Sequence, residues 1–347
     1  MKISFVRKSN SKSHIPDTPP RPVVRSRPLN LLIAASEAIP YAKTGGLADV
    51  AGALPHELAK LGHDVILLLP RYRDVAQSGR TLRSLVTFPI HTPQGILPAV
   101  IEEDLVPVGD RHNLRVWAIG NDTYFDRSGL YQEAGVDYPD NLDRFVFFCR
   151  AIIETMAYLK RERGWQTDLL HLHDWQTALC AVYLKTNDAA RSEVNGAKTV
   201  LTIHNAGYQG MFPGSQFIKT GLASSWFGVD GLEFYGSVNL LKGGMIFSDY
   251  LTTVSPTYAK EILTHAGGFG LDGVLRNRQP QFKGILNGID VDVWNPETDP
   301  QLPARYTVSN RENKSLCKAA LRQEFQLPDV DSPLLSIIGR MVPQKGV

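Results

Sequence analysis

A lysine and two glycines placed directly after an apolar run can hold a phosphate. The stretch Lys43-Thr44-Gly45-Gly46-Leu47-Ala48-Asp49-Val50 follows the run Leu29 to Ala35 and opens a helical pattern ending near Leu61-Gly62-His63. Paired glycines let backbone N–H groups turn toward a ligand, the helix start adds partial positive charge, and Lys43 adds a full one. The spacing matches neither G-x-x-x-x-G-K-[ST] nor G-x-G-x-x-G, so this turn is not one of the two common nucleotide loops. Two glycines after a strand also serve as ordinary turn chemistry.

Two further clusters have residue types suited to a substrate. Residues two apart on a strand share a face, so both imidazoles of His171-Leu172-His173-Asp174-Trp175 point the same way. In an open α/β sheet the carboxyl ends of the strands form the ligand crevice, which places His173 and Asp174 to meet a substrate. A core histidine followed by an N-capping aspartate is the plain structural alternative. No H-E-x-x-H and no third ligand at zinc spacing accompany the pair, so no metal is expected. His204-Asn205 ends the next apolar run in the same manner, ahead of Ala206-Gly207-Tyr208-Gln209-Gly210. Gly267, Gly268, Gly270 and Gly273 form another glycine-rich turn, either an anion cradle or a loop. Asp290-Val291-Asp292 and Asp329-Val330-Asp331 imitate a D-x-D metal signature but adjoin turn residues and read as solvated turns. Arg340 and Lys345 share one turn, where a bidentate fork and a point charge would suit a diphosphate, although paired cations on a turn are commonly solvated.

The elements that must position these residues alternate as β/α units around a parallel sheet. Strands are expected at Leu29 to Ala35, Val65 to Leu69, Leu114 to Ile119, Leu169 to Leu172, Thr199 to Ile203, Tyr250 to Val254 and Gly284 to Leu286. Helical spacing runs from Asn141 to Lys160 with Asp140 as its N-cap, and Ser255-Pro256 starts another helix. Pro55 is expected to split or kink the helix after the glycine turn. A polar connection from Glu297 to Asn310 leads to a helix from Lys314 to Gln326 and then to a strand from Leu334 to Gly339. The chain stops soon afterwards, as if a second domain had only begun.

Composition narrows the function classes. At 347 residues the chain has length for roughly two domains, and a net charge of +2 with 21% charged residues calls for neither nucleic acid nor an anionic membrane. Cys149, Cys180 and Cys317 lie far apart, which fits a reducing compartment and small buried side chains. No apolar run approaches the ~20 residues of a membrane helix. Residues 1–28 are rich in Ser, Pro and Arg with Asp17 as the sole acid, and read as a disordered basic extension rather than a targeting peptide.

Taken in order, these motifs resemble the bacterial glycogen synthase and plant starch synthase family. The carriers are the Lys43 to Val50 turn, Tyr138-Pro139-Asp140-Asn141, His171 to Trp175, Thr202-Ile203-His204-Asn205, Thr253 to Ala259, Leu286-Asn287-Gly288-Ile289-Asp290, and Gly339-Arg340 to Lys345-Gly346. Ala48 is closer to the bacterial members than to the usual plant sequences.

The resemblance implies an α/β fold of GT-B type, with two Rossmann-like domains facing a cleft. It implies retaining transfer of glucose from ADP-glucose to an α-1,4-glucan, without an essential metal or cofactor, in the cytoplasm of a bacterium rather than a plastid. By position, Lys43, Gly45 and Gly46 would meet the donor, and His204 and Asn205 would line the substrate site. His173 and Asp140 would line the sugar and acceptor pocket, while Arg340 and Lys345 would neutralise the leaving diphosphate. Residues 29–310 would form the N-terminal domain and 311–347 the connecting helix and the start of the second. On that reading the chain by itself binds donor weakly and catalyses negligibly. Its alternatives are a glucan- or nucleotide-sugar-binding module and a nicotinamide-dependent dehydrogenase, the latter disfavoured by the missing G-x-G-x-x-G.

Overall fold

The computed structural model describes residues 27–109, 112–194, 196–339 and 341. The basic extension expected over 1–28 therefore lies almost wholly outside the described residues.

The runs that read as buried strands, with a hairpin added at one edge, build one nine-stranded sheet. In chain order its strands are β1 (Asn30–Ala34), β2 (Asp64–Pro70), β3 (Arg83–Thr92), β4 (Gly95–Val108), β5 (His112–Gly120), β6 (Leu169–His173), β7 (Lys198–Ile203), β8 (Tyr250–Thr253) and β9 (Phe282–Gly284). Across the sheet they lie in the order β9-β8-β7-β6-β1-β2-β5-β4-β3. Every pairing from β9 to β5 is parallel, and β4 and β3 complete the sheet antiparallel. In β1, Leu31 to Ala34 are all buried, as a central parallel strand covered on both faces requires. Its register sets Leu31 opposite Val65 on one side and Leu169 on the other.

The expected strands occur where the apolar runs stand, except at the edges. The β3–β4 hairpin escaped the sequence reading because Pro89, Pro93 and Pro98 interrupt its pattern, and prolines in sheets belong to such peripheral positions. The strand expected at Gly284 to Leu286 is instead β9, placed earlier by its register, with Leu251 opposite Phe282 and Thr253 opposite Gly284. Leu334 to Gly339 form no strand: among the described residues no neighbour pairs with them, and Leu335 and Ile338 are exposed. A strand needs a partner's backbone groups as well as its own side chains.

Helix α1 (Gly46–Lys60) runs unbroken through Pro55, which is buried, so the expected split does not occur. Helix α2 (Asn141–Arg163) closes on Gly164 in the left-handed conformation, φ 60°, whose N–H bonds the Leu159 carbonyl. Its N-cap position is Asp140, yet the Asp140 side chain makes no capping bond. Helix α3 (Trp175–Thr186) is buried from Trp175 to Leu184 and packs against α2 and α4 (Leu240–Phe247). A Cβ on Gly244 would stand 2.6 Å from the Cβ of Ala178, so this helix contact needs the glycine. Ser255 does cap its helix, Oγ accepting the Tyr258 N–H at 2.9 Å. The later helix falls at Asn313–Glu324, where Leu316 and Leu321 are exposed.

Candidate functional site

The strand order creates a crevice. From β1 the chain proceeds through β2 to β5 on one side, then returns to place β6 and β7 on the other. Loops leaving the carboxyl ends of β1 and β6 therefore diverge, and ligands of open α/β sheets bind at such a switch point. The glycine turn follows β1, and His173 and Asp174 stand at the end of β6.

At the β1 end, the centre is a residue the sequence reading missed. Glu37 is buried, and its Oε2 accepts the backbone N–H of Thr44 and, at 3.1 Å, that of Gly45. Its Oε1 accepts the Thr44 hydroxyl at 2.9 Å and the Tyr131 hydroxyl at 3.1 Å. The turn's first amides thus already hold a carboxylate of the same chain. What remains open is the space above the glycines, because a Cβ added to Gly45 or Gly46 would meet nothing within 4 Å. Lys43, about half-exposed, pairs with Asp49 in the first turn of α1 at 2.7 Å.

At the β6 end, three imidazoles form one cluster. The rings of His171 and His173 stack with centroids 4.4 Å apart, as their shared strand face requires. His173 Nδ1 lies 2.8 Å from His204 Nε2, and His171 Nε2 lies 2.7 Å from Thr202 Oγ1. Burial pushes His171 and His204 down to about 4 and His173 well below its ordinary value, so all three are neutral at pH 7. His173 is fully buried and its Nε2 has no partner among the described residues.

Asp174 precedes α3 with φ 56° and ψ −170°, a conformation costly for a residue with a Cβ. Its carboxylate serves the next strand end rather than its own helix, accepting the His204 N–H at 2.7 Å. Burial raises its pKa to about 7, against the lowering effect of the N–H groups of His204 and Asn205, and the nearby Glu37 charge adds to the rise. Asp174, His173, His204 and Asn205 are therefore brought together as the two strand ends suggested.

Asp140 is held elsewhere on the same rim. Arg127 grips its two oxygens at 2.7 and 2.6 Å, which explains the missing helix cap. Burial works to raise the Asp140 pKa, but the arginine outweighs it and keeps the carboxyl below its ordinary value. Asn141 connects this group to Glu37: its amide donates to the Tyr131 carbonyl at 2.9 Å, and the Tyr131 hydroxyl reaches Glu37. Arg340 and Lys345 lie outside the described residues.

The D-x-D stretch at Asp290 is a turn, its Oδ1 accepting the N–H groups of Asp292 and Val293 at 3.0 Å. The glycine-rich turn is a packing feature at Gly267 and Gly268, where added Cβ atoms would strike the carbonyls of Glu261 and Ile262 at 2.4 and 2.7 Å. Among the described residues no group of three His, Cys, Asp or Glu side chains could hold a metal, and no helix is long and apolar enough to cross a membrane.

A family model described as the starch synthase catalytic domain matches residues 30–277. Glycogen synthase of Syntrophotalea carbinolica is 43% identical over 325 residues, a match covering 92% of this chain and 64% of that protein. Glycogen synthase of Opitutus terrae is 40% identical over 320 residues, covering 92% and 65%. Among solved structures, the catalytic domain of starch synthase IV from Arabidopsis thaliana, bound to ADP and acarbose, aligns with a TM-score of 0.80 at 35% identity. That alignment covers 92% of this chain and 64% of the other.

Proposed function

The chain belongs to the starch synthase catalytic domain family, and from that membership we propose that it forms one wall of a glycogen synthase, transferring glucose from ADP-glucose to the non-reducing end of an α-1,4-glucan with retention. The observation that carries this reading is a pair of features at the carboxyl ends of two neighbouring strands: after β1 a glycine turn with nothing within 4 Å of an added Cβ, and at the end of β6 the buried Nε2 of His173, without a partner among the described residues. A neutral imidazole suits a sugar hydroxyl, since it exchanges a hydrogen bond without bringing a charge that must be desolvated.

In this reading Lys43 holds the donor diphosphate over the glycines. His173, with His204 and Asn205 beside it, orients the glucosyl unit, and Asp140 faces the acceptor side. Arg340 and Lys345 would neutralise the charge that builds on the departing diphosphate, an effect strongest in a cleft that excludes water. The acarbose and ADP bound to the starch synthase IV domain support a sugar and a nucleoside diphosphate as neighbours here. A bacterial cytoplasm would supply both substrates.

The chain spans 64% of the length of the first of these relatives. The test is incorporation of labelled glucose into glycogen from ADP-glucose and from UDP-glucose. It is run on this chain and on the protein extended to the relatives' full length. Incorporation from ADP-glucose by the extended protein, with negligible transfer by the chain alone, is the expected result. Failure of both donors to support transfer removes the proposal.

A further inference from the structure

Two aromatic residues occupy backbone positions that ordinarily select glycine or asparagine, and both hold their rings in solvent. Tyr235 and Gly236 form the two-residue loop between the paired residues Phe234 and Ser237, with φ 48° and 80°. Such a loop favours Asn-Gly, because both central residues need positive φ. Tyr235 is nonetheless 85% exposed. Phe269 ends the short helix His265–Gly268 at φ 49° and ψ 38°, where a C-terminal glycine is usual, and it is 51% exposed.

The two rings belong to one surface. Phe234 stacks edge-on to Tyr235 at 4.7 Å, and a Cβ on Gly270 would come within 2.9 Å of the Phe234 ring. A Cβ on Gly207 would meet the Phe269 ring at 3.5 Å, and the next residue, Tyr208, is itself exposed. Gln209, buried, ties the three loops together. Its amide donates to the carbonyls of Ala206 at 2.9 Å and Phe269 at 3.1 Å, and its oxygen accepts the Asn239 amide at 2.6 Å. The surface continues directly from His204 and Asn205, which lead into Ala206 and Gly207.

We propose that Tyr208, Tyr235 and Phe269 form an aromatic rim that takes the C–H faces of glucosyl units in an α-glucan chain as it leaves the crevice. Positive-φ outliers cluster where function holds them against their cost, and here each outlier presents a ring to water. Flat, separate rings fixed at their backbones suit pyranose faces, which are apolar above and below and polar at the edge. The identity of the occupant rests on the transferase reading above, whereas the ring placement does not.

The test is titration of this chain with maltoheptaose by isothermal calorimetry, beside thermal unfolding of each variant. Asn suits the left-handed backbone better than an aromatic residue does. Tyr235→Asn combined with Phe269→Asn should therefore weaken maltoheptaose at least tenfold while leaving Tm equal or higher; a merely structural role predicts a lower Tm instead. Tyr235→Phe should retain the affinity. Unchanged affinity in the double variant, equal loss in Tyr235→Phe, or no maltoheptaose binding by the parent chain would each overturn the rim. So would a concentration-dependent dimer that the double variant abolishes while the parent ignores maltoheptaose. Ring-dependent binding without any glucose incorporation by the extended protein would leave the rim standing and remove only the transferase reading.

Discussion

The carboxylate of Glu37 holds the backbone N–H of Gly45 at 3.1 Å, and with it the first turn that would receive a donor phosphate. An anion built into the chain thus sets the shape of a turn meant for another anion. The consequence is a site organised before any ligand arrives, with Lys43 left to supply the charge that Glu37 has already taken from the amides.

Glu37→Leu should loosen that turn. The aliphatic side chain cannot accept, so the Thr44 and Gly45 N–H groups lose their acceptor in a partly buried setting, at a cost of about 1–3 kcal/mol. Urea unfolding should show that loss, together with weaker ADP binding. A stability equal to the parent's would mean that the carboxylate is dispensable.

Gly46→Ala separates space from fold. The added Cβ meets nothing within 4 Å, so unfolding free energy should change by no more than about 0.5 kcal/mol. The same methyl projects into the volume assigned to the donor, and ADP-glucose affinity should fall about tenfold or more. Calorimetry on both ligand and heat would detect the split, and unimpaired affinity would move the donor away from this turn.

Lys43→Ala removes a half-exposed ion pair with Asp49, which is worth about 0–1 kcal/mol at most, so Tm should hardly move. Donor use should suffer instead, seen as a raised KM for ADP-glucose in the extended protein. Kinetics matching the parent's would end the phosphate role of the lysine.

Acid should act through the histidine cluster and against Asp174. His171 and His204 have folded values near 4, below the unfolded value of about 6.5, so the unfolded chain binds more protons and stability is lost as pH falls from about 6.5 toward 4. Asp174 is raised to about 7, so its contribution has the opposite sign and is lost as pH rises through 7. Asp174→Asn keeps an acceptor for the His204 N–H but cannot ionise. It should be more stable than the parent by about 4 kcal/mol at pH 8, with that advantage gone near pH 4. Parallel stability curves for the two proteins would show that Asp174 does not titrate in this range.

What could be read from the sequence was whatever depends on a residue's near neighbours. Leu31 to Ala34 announced a doubly covered strand, Ser255-Pro256 announced a capped helix, and the two-residue spacing of His171 and His173 fixed their common face. Glu37 was invisible because a lone acid has no pattern: Thr44 and Gly45, whose N–H groups it holds, are only seven and eight positions on, but nothing in their types announces an acceptor. Asp140 looked like a cap because the competing arginine, Arg127, precedes it outside the helix. Leu334 to Gly339 have the composition of a strand, but pairing is a property of two segments and only one is present among the described residues.

The contact between His173 and His204 makes the cluster a messenger. One proton lies between Nδ1 of the first ring and Nε2 of the second, and both rings are neutral. A ligand that accepts from Nε2 of His173 leaves its Nδ1 bare, so His204 must donate from Nε2. A ligand that donates to the same atom forces the reverse assignment. The hydrogen-bonding sense of whatever binds at one strand end is thereby written into the tautomer at the next, where nitrogen chemical shifts would read it directly.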